Sequence, residues 1–204
     1  MLWLLTFAST LIWSVISPKD YTTWVLEVFP ALAGLVVLAW TWRRFPLTPL
    51  VYWFILVHCV ILMVGGHYTY AEVPLFDWVE HVFSQSRNNY DKLGHLAQGF
   101  VPVLVAREIL IRRRIVNGRW WTHFIAVSIC LAISAFYELI EWLVALLSGQ
   151  AAAAFLGTQG YAWDTQSDMA WALFGACLGI LTLGRLHDRQ IAHIEASGED
   201  LPGE

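Results

Sequence analysis

Residues 90–100 read YDKLGHLAQGF, a polar segment at the start of an apolar run that extends to Ile111. Asp91, His95 and Gln98 are spaced i, i+4 and i+7, so a helix places these three side chains on one face. The residues that follow are apolar and numerous enough to complete a membrane-spanning helix. Because polar groups are costly in hydrocarbon unless they are paired, this segment predicts a membrane helix with a polar site at one end.

The composition of the whole chain is typical of a helical membrane protein. Of its 204 residues, 58% are hydrophobic and 14% are charged, whereas soluble domains carry about 25% charged residues. The net charge of −4 argues against a nucleic-acid partner, which requires a basic surface. Cys59, Cys130 and Cys177 lie far apart in apolar runs, so they predict neither a disulfide framework nor a thiolate zinc site.

Six apolar runs approach or exceed the roughly 20 residues that a spanning helix needs. The predicted fold is therefore all-α, a polytopic protein with about six transmembrane helices in the lipid bilayer. The first run lacks the positively charged start of a secretory signal, so we expect it to remain as an uncleaved span. The runs are Leu2–Ser17, Tyr21–Trp42, Leu47–Gly66, Leu93–Ile111, Trp120–Leu147 and Gln166–Leu186.

The distribution of Arg and Lys predicts that both termini lie in the cytoplasm, because cytoplasmic loops carry an excess of these residues. The opposite side holds only Lys19, Arg87 and Lys92. Residues 1–189 are predicted to form one domain, with its core at 67–186, and residues 190–204 a polar, disordered tail. The arginines that follow the second, fourth and sixth runs are Arg43, Arg44, Arg112, Arg113, Arg114, Arg119, Arg185 and Arg189.

Two long connections fall on the outer side of the membrane in this topology. Residues 67–91 contain Phe76, Val79 and Phe83 at helical spacing, which predicts a helix lying in the membrane interface. Residues 148–165 are rich in Ala and Gly and contain no Lys, Arg or Glu. We expect this second connection to dip into the membrane or to fold over a cavity, where protein or water would satisfy its backbone.

Ionisable side chains from the fourth, fifth and sixth spans reach the same outer leaflet. Those of the fifth span lie roughly 9 to 14 Å below its outer end, at 1.5 Å per residue. Gly175 and Gly179 in the sixth span form a small-residue face, which allows helices to approach closely. The converging residues are Asp91 and His95, Glu138 and Glu141, and Asp164 and Asp168.

Several of the polar residues also suit purely structural roles. Asp91 and Asp164 are well placed to cap the helices that they open. Arg107 and Glu108, near the inner end of the fourth span, are interpreted as an interfacial ion pair. His58 lies in the middle of a span with no acid nearby in the sequence, which favours a packed, hydrogen-bonded histidine.

Several carboxylates in a low dielectric cannot all stay ionised without a cation or shared protons. A divalent metal ion could be bound by carboxylate oxygens and one imidazole. Proton sharing would instead support acid–base or proton-coupled chemistry. The spacing leaves both alternatives open. The candidate catalytic residues are Glu138, Glu141, Asp168 and His95, and the candidate metal ligands are these four together with Asp164 and Asp91.

The same motifs resemble the VanZ-like membrane family. That family has Asp-Lys-x-x-His, Glu-x-x-Gln and Asp-x-x-x-Asn-x-x-Gly-x-x-x-Gly on successive spans. The corresponding segments here are residues 91–95, 138–141 and 168–179, with Glu141 in place of the family's Gln and Ala172 in place of its Asn. Since VanZ-like members are associated with glycopeptide-antibiotic resistance, the resemblance points toward envelope lipids or cell-wall precursors.

A fuller set of segments is similar to the YjdF-like bacterial inner-membrane proteins. These segments are AQGFVP at 97–102, FYELIEW at 136–142, FLGTQG at 155–160 and WDTQ at 163–166. The similarity covers roughly residues 67–186. It implies a multi-pass protein of the bacterial plasma membrane, and it implies no activity.

Residues and resemblance together favour an integral inner-membrane protein whose outward-facing acidic and histidine site binds or modifies an envelope lipid or lipid-linked precursor. One alternative is a small proton-coupled transporter, although no inverted repeat or pair of broken spans is visible. Another is a non-catalytic membrane scaffold whose buried acids fix the packing of its helices. The sequence indicates neither a specific reaction nor an oligomeric state.

Overall fold

The computed structural model describes residues 1–148 and 159–197. Most of the connection that is predicted to enter the membrane, and the last seven residues of the predicted tail, lie outside these ranges. Within them the chain forms seven helices and no strand. The helices are α1 (Leu2–Val15), α2 (Tyr21–Thr41), α3 (Pro49–Tyr68), α4 (Pro74–Val82), α5 (Tyr90–Arg112), α6 (Arg119–Ser148) and α7 (Asp164–Ser197).

Five of these helices, α2, α3, α5, α6 and α7, are long and apolar enough to cross a membrane. The predicted all-α, polytopic fold is therefore confirmed. The first helix differs from the prediction, because α1 has 14 residues and is about 21 Å long at 1.5 Å per residue. It ends before Ser17 because Ile16 is extended and Ser17 has a φ of 52°. The number of spans and their sidedness stay predictions.

The last helix, α7, continues to Ser197, whereas the sequence predicts disorder from residue 190 onward. Ile191 and Ile194 are buried. The side-chain oxygen of Gln190 accepts a hydrogen bond of 3.0 Å from the backbone nitrogen of Leu50. This burial and this bond explain why the helix extends beyond the apolar span, and they correct the predicted start of the tail.

The centre of the bundle is the pair α5 and α7, which pack at very short range. A Cβ atom built on Gly99 would lie 1.8 Å from the backbone oxygen of Ala172, and one built on Gly175 would lie 2.1 Å from that of Leu96. Neither position therefore has room for a side chain. Helix α6 packs against both central helices, α3 packs against α5, and α1 and α2 pack against α3.

Two of the three apolar clusters within the described residues join the helices of the bundle. Val103 and Leu104 of α5 are fully buried in the larger cluster, which also contains Ala176 of α7 and residues of α3 and α6. The smaller cluster joins α1, α2 and α3 through Phe7 and Met63, among others. The larger cluster lies in the middle of the α5–α7 pair, so the polar ends of these two helices are separated by apolar packing.

Helix α4 confirms the helix that is predicted between residues 67 and 91, but a different face is apolar and exposed. The Phe76 ring packs inward against Tyr90, with 5.1 Å between the ring centroids. Leu75, Trp78 and Val82 are more than half exposed. These three side chains form a stripe at i, i+3 and i+7, the pattern of a helix that lies in a membrane interface.

Candidate functional site

Five of the predicted site residues meet at one end of the bundle, which we call the acidic end. Asp91 and His95 lie on the first two turns of α5, Asp168 lies on the second turn of α7, and Glu138 and Glu141 lie on α6. The Nε2 atom of His95 is 3.4 Å from Asp91 Oδ1 and 3.7 Å from Glu138 Oε1. The structure thus brings these side chains together, and their functional role stays a prediction.

His95 is held in an orientation that directs its Nε2 atom toward two carboxyl groups. Its Nδ1 atom lies 3.1 Å from the side-chain oxygen of Gln98, which can only accept, so Nδ1 carries the proton in this arrangement. Nε2 then directs either a lone pair or a second proton toward Asp91 and Glu138. A lone pair would be repelled by two carboxylates, and His95 is only 5% exposed. A proton on Nε2, a cation beside it or a proton on one of the carboxyl groups would remove this repulsion.

Two overlapping groups of side chains have the spacing of a metal site. One contains Asp91, His95 and Asp168, and the other contains His95, Glu138 and Glu141. In each group, one ligand atom from every residue lies within 4.8 Å of the others. One imidazole with two carboxylates is a donor set that suits divalent ions such as Zn²⁺ or Mn²⁺. A cation bound in either group would contact His95, because that residue belongs to both.

Some buried oxygen atoms at the acidic end have no hydrogen-bond partner within the described residues. They include Oε1 of Glu138 and Oδ1 of Asp168, in side chains that are 6% and 3% exposed. The hydroxyl of Ser134, one turn from Glu138 along α6, is a third such atom. A buried acceptor without a donor is costly, and a bound cation, a water molecule or a proton on the carboxyl group would remove this cost.

Asp164, a predicted metal ligand, lies outside both groups because it is paired with a different residue. Arg87 Nη1 donates to Asp164 Oδ1, and Arg87 Nη2 lies 3.8 Å from Asp91 Oδ2. The pairing of Arg87 is not predicted from the sequence, where Arg87 counts only among the few basic residues of the predicted outer side. Because Arg87 lies before α5 begins at Tyr90, the available signal was only its spacing of four residues from Asp91.

The segment that carries Arg87 is held by hydrogen bonds on both sides. The Asn88 side-chain nitrogen donates to the Val73 backbone oxygen at 3.0 Å and to Asp77 Oδ1 at 2.6 Å. The Gln159 side chain bonds to the backbone nitrogen and oxygen of Asn88, at 3.1 and 2.8 Å. These bonds fix the chain just before α5, so that the guanidinium of Arg87 reaches the carboxylates.

A cavity of about 210 Å³ lies beside the cluster, among α2, α3, α5 and α6. Asp91, His95 and Glu141 line its polar side, and Leu62 and Ile133 contribute to its apolar side. Its volume is below the roughly 300 Å³ of a small drug-sized pocket, so it can hold a headgroup fragment or a short acyl segment. An amphipathic molecule would match both sides of this cavity.

Two tyrosines and a glutamate close part of the same cavity. The Tyr137 hydroxyl donates to Glu27 Oε2 at 3.0 Å and so joins α6 to α2. Tyr70 lines the cavity beside Glu27, and burial raises the pKa of Tyr70 well above its usual range, so its hydroxyl stays protonated. His58 lines the cavity as well. Its Nε2 atom is buried without a partner among the described residues, so the predicted hydrogen bond at this atom is absent.

Glu108 is fully buried at the opposite end of the bundle. We call this the arginine-rich end because it carries Arg112 and Arg119. The Glu108 carboxylate accepts from the Thr48 backbone nitrogen at 2.9 Å and the Thr48 hydroxyl at 2.8 Å. It also accepts from Arg112 Nη1 at 2.7 Å and lies 2.9 Å from His187 Nε2. The predicted ion pair between Arg107 and Glu108 was therefore wrong in its partners, because Glu108 pairs with Arg112 and His187 instead.

Arg107 is likewise buried, at 2% exposed, and it pairs with Asp188 of α7. Its Nη1 atom lies 3.2 Å from Nδ1 of His187. His187 is not among the residues predicted from the sequence. The available signal was the small-residue face of α7, since His187 follows Gly179 by eight residues and thus lies near the same face.

Comparison with known proteins identifies close similarity to one bacterial protein. The chain is 54% identical to the inner membrane protein YjdF of Escherichia coli (strain K12) over 187 residues, which cover 92% of this chain and 90% of that protein. No solved structure matches the chain significantly. The inner-membrane location and the YjdF-like resemblance are confirmed, and the VanZ-like similarity stays a resemblance of motifs. Because residues 1–189 match the family described as predicted membrane protein (DUF2238), the chain belongs to that family.

Proposed function

We propose that this inner-membrane protein binds a divalent cation at its acidic end and, through that cation, the anionic headgroup of an envelope lipid or lipid-linked precursor. The observation that carries the proposal is the unpartnered, buried pair of oxygens on Glu138 and Asp168, on two sides of His95. Neither oxygen has a hydrogen-bond donor among the described residues, and the His95 imidazole lies 3.7 Å from Glu138 Oε1, so a bound cation would satisfy both acceptors.

The balance of charge at the acidic end supports a cation. Five carboxyl groups lie there: the four of the two groups with metal-site spacing, and that of Asp164. The guanidinium of Arg87 faces Asp164 and Asp91. Because the site is buried, carboxylates at these distances repel strongly unless they are neutralised. A divalent ion bound by His95 and two carboxylates would relieve this repulsion. Its remaining coordination positions would be open to a phosphate or carboxylate oxygen of a ligand.

The position of the neighbouring cavity favours a lipid. The cavity begins at His95 and Glu141 and continues among the apolar side chains of α2, α3 and α6. A headgroup at the cation would therefore place its attached chain in apolar surroundings. The hydrogen bond between Tyr137 and Glu27 crosses this cavity from α6 to α2, so the two helices must separate slightly for a chain to pass between them.

The proton-coupled transporter is less well supported. A transported ion would have to pass between the acidic and the arginine-rich ends along the α5–α7 pair. Val101, Val103 and Leu104 are buried in this interval, as are Ala172 and Ala176. Within the described residues, the interface between the two helices is therefore apolar, which favours a site that opens to one leaflet.

The first prediction concerns cation binding. Purified protein, stripped with a chelator and reloaded with Mg²⁺, Mn²⁺ or Zn²⁺, should retain about one ion per chain by elemental analysis. Glu138→Gln and Asp168→Asn each remove one ligand charge at nearly constant shape. We expect each to weaken binding on the order of 100-fold in calorimetric titration, at the upper end of the 10- to 100-fold cost typical of losing an outer-shell partner.

The matched control for this experiment is Glu195→Gln, which removes the same charge from an exposed position on α7. It should bind the ion as the unchanged protein does. Absence of stoichiometric binding of all three ions would contradict the proposal. If Glu138→Gln and Asp168→Asn instead lower thermal stability without any bound ion, the acids serve a scaffold. Retention of an anionic phospholipid by native mass spectrometry should also depend on the cation.

The second prediction concerns sidedness, because the proposal requires the acidic end to face outward. Alkaline phosphatase is active only outside the cytoplasm. We expect it to be active when inserted after Gln85, in the exposed loop before α5, and inactive when fused after Glu204. A green fluorescent protein fused at the same two positions should give the reciprocal result. Phosphatase activity at the C-terminal fusion would contradict the predicted orientation.

A further inference from the structure

A second cavity, of about 340 Å³, lies at the arginine-rich end, far from the acidic end. It is formed by the connection between α5 and α6, the first turn of α6 and the α7 segment at Asp188. The side chains that line it are mostly cationic or polar. The proposed function uses none of them. They include Arg107, Arg114, Arg119, Thr122, His123 and Asp188.

Two of the arginines at this cavity carry positive charges that no acidic side chain among the described residues neutralises. Arg114 and Arg119 are exposed, and neither forms an ion pair within the described residues. Arg114 has a φ of 49°, a left-handed conformation that is unfavourable for a residue other than glycine. Since this conformation sets the path of the connection, it fixes one wall of the cavity next to Arg119.

The floor of the cavity is a buried guanidinium that is held from three sides. Arg107 Nη2 pairs with Asp188, Nη1 faces His187 Nδ1, and Nε donates to His123 Nε2 at 3.4 Å. The one acid that lines the cavity, Asp188, is therefore already neutralised by Arg107. Of the five N–H groups of the guanidinium, three are directed to these partners, which leaves donors for a ligand.

The first turn of α6 contributes a further set of donors. Gly118, with a φ of 91°, precedes the helix, and the Thr122 backbone nitrogen bonds to its oxygen at 3.1 Å. The backbone N–H groups of the first turn, which include those of Arg119 and Trp120, have no acceptor within the helix. An anion at this position would also interact favourably with the positive end of the helix dipole.

We propose that this arginine cavity, defined by Arg107, Arg114, Arg119 and the first turn of α6, binds a phosphate group. The guanidinium groups provide the forked donors that match phosphate oxygens, and the backbone provides the rest. The phosphate could belong to the headgroup of an anionic lipid in the adjacent leaflet or to a soluble phosphate compound. Both sources present the same chemistry to the cavity, and they differ in whether the ligand is anchored in the bilayer.

The test measures phosphate binding by the whole protein in nanodiscs. In phosphatidylcholine nanodiscs, inorganic phosphate is titrated calorimetrically. In nanodiscs that contain phosphatidylglycerol, retained lipid is counted by native mass spectrometry. Arg114→Gln with Arg119→Gln should weaken phosphate binding, or reduce retained phosphatidylglycerol, at least tenfold. Both positions are exposed, so the variant should fold, and an unchanged melting temperature would verify this.

The matched control is Arg43→Gln with Arg44→Gln, which removes the same charge from the exposed connection between α2 and α3. It should change binding less than twofold. Binding of inorganic phosphate alone indicates a soluble ligand, whereas retention of phosphatidylglycerol indicates a lipid, and either result supports the site. Binding of neither by the unchanged protein, or an equal loss in both double variants, would overturn the proposal.

Discussion

Replacing Gly99 by alanine should destabilise the helix bundle by about 3 kcal/mol, at the upper end of the usual cost of overpacking. The added methyl group would lie 1.8 Å from the backbone oxygen of Ala172, and a backbone atom cannot move aside as a flexible side chain can. The helices α5 and α7 must therefore separate. At 2 to 4 °C per kcal/mol for a protein of this size, the melting temperature should fall by roughly 6 to 12 °C. Gly175→Ala should lower the melting temperature by a similar amount, because its added methyl group would lie 2.1 Å from the backbone oxygen of Leu96.

The control for this prediction is Gly34→Ala on α2, where an added methyl group would meet no atom within 4 Å. Alanine is the better helix former by up to about 1 kcal/mol, so this variant should be as stable as the unchanged protein or slightly more stable. Equal melting temperatures for Gly99→Ala and Gly34→Ala would show that α5 and α7 are not in close contact. In Gly99→Ala, the separation of α5 from α7 should also weaken cation binding, because it moves Asp168 away from His95.

Replacing Glu108 by alanine should lower the free energy of unfolding by about 3–5 kcal/mol, the usual cost of removing one partner from a buried charge network. The carboxylate is fully buried and connects Thr48 of the α2–α3 connection to Arg112 of α5 and His187 of α7. Its loss leaves the Thr48 backbone nitrogen and His187 without this acceptor. Chemical denaturation in detergent, followed by tryptophan fluorescence, would measure the change.

Glu195→Ala is the comparison for Glu108→Ala, since Glu195 is exposed on α7 and exposed substitutions usually change stability by less than about 0.5 kcal/mol. Glu108→Gln keeps an acceptor and the shape of the side chain, so its cost should lie between the two. A loss below about 1 kcal/mol for Glu108→Ala would contradict a structural role for the network.

The convergence at the acidic end could be predicted because it depends on spacing and chain direction alone. Asp91 and His95 are four residues apart at the start of one span, and Asp168 lies near the start of another that runs in the same direction. Glu138 and Glu141 lie in the C-terminal half of the helix between them, which runs in the opposite direction. Once the spans are recognised by composition, their ends must meet at the same side of the bundle.

The partners across helices could not be predicted in the same way. Whether Arg87 reaches Asp164, or Tyr137 reaches Glu27, depends on how each helix is rotated and how deeply it lies, and hydropathy determines neither. Glu108 illustrates the error that results. Its neighbour Arg107 is the partner that the sequence suggests, whereas the packing of α5 against α7 pairs Glu108 with Arg112 and His187.

Helix α7 is one continuous rod from Asp164 to Ser197. At 1.5 Å per residue its 34 residues extend about 51 Å, well beyond the roughly 30 Å of hydrocarbon that a membrane presents. A tilt of about 5° would displace one end by about 4 Å relative to the other. Because this one helix carries Asp168 near one end and His187 and Asp188 toward the other, a change in its tilt at the acidic end would also displace His187 and Asp188.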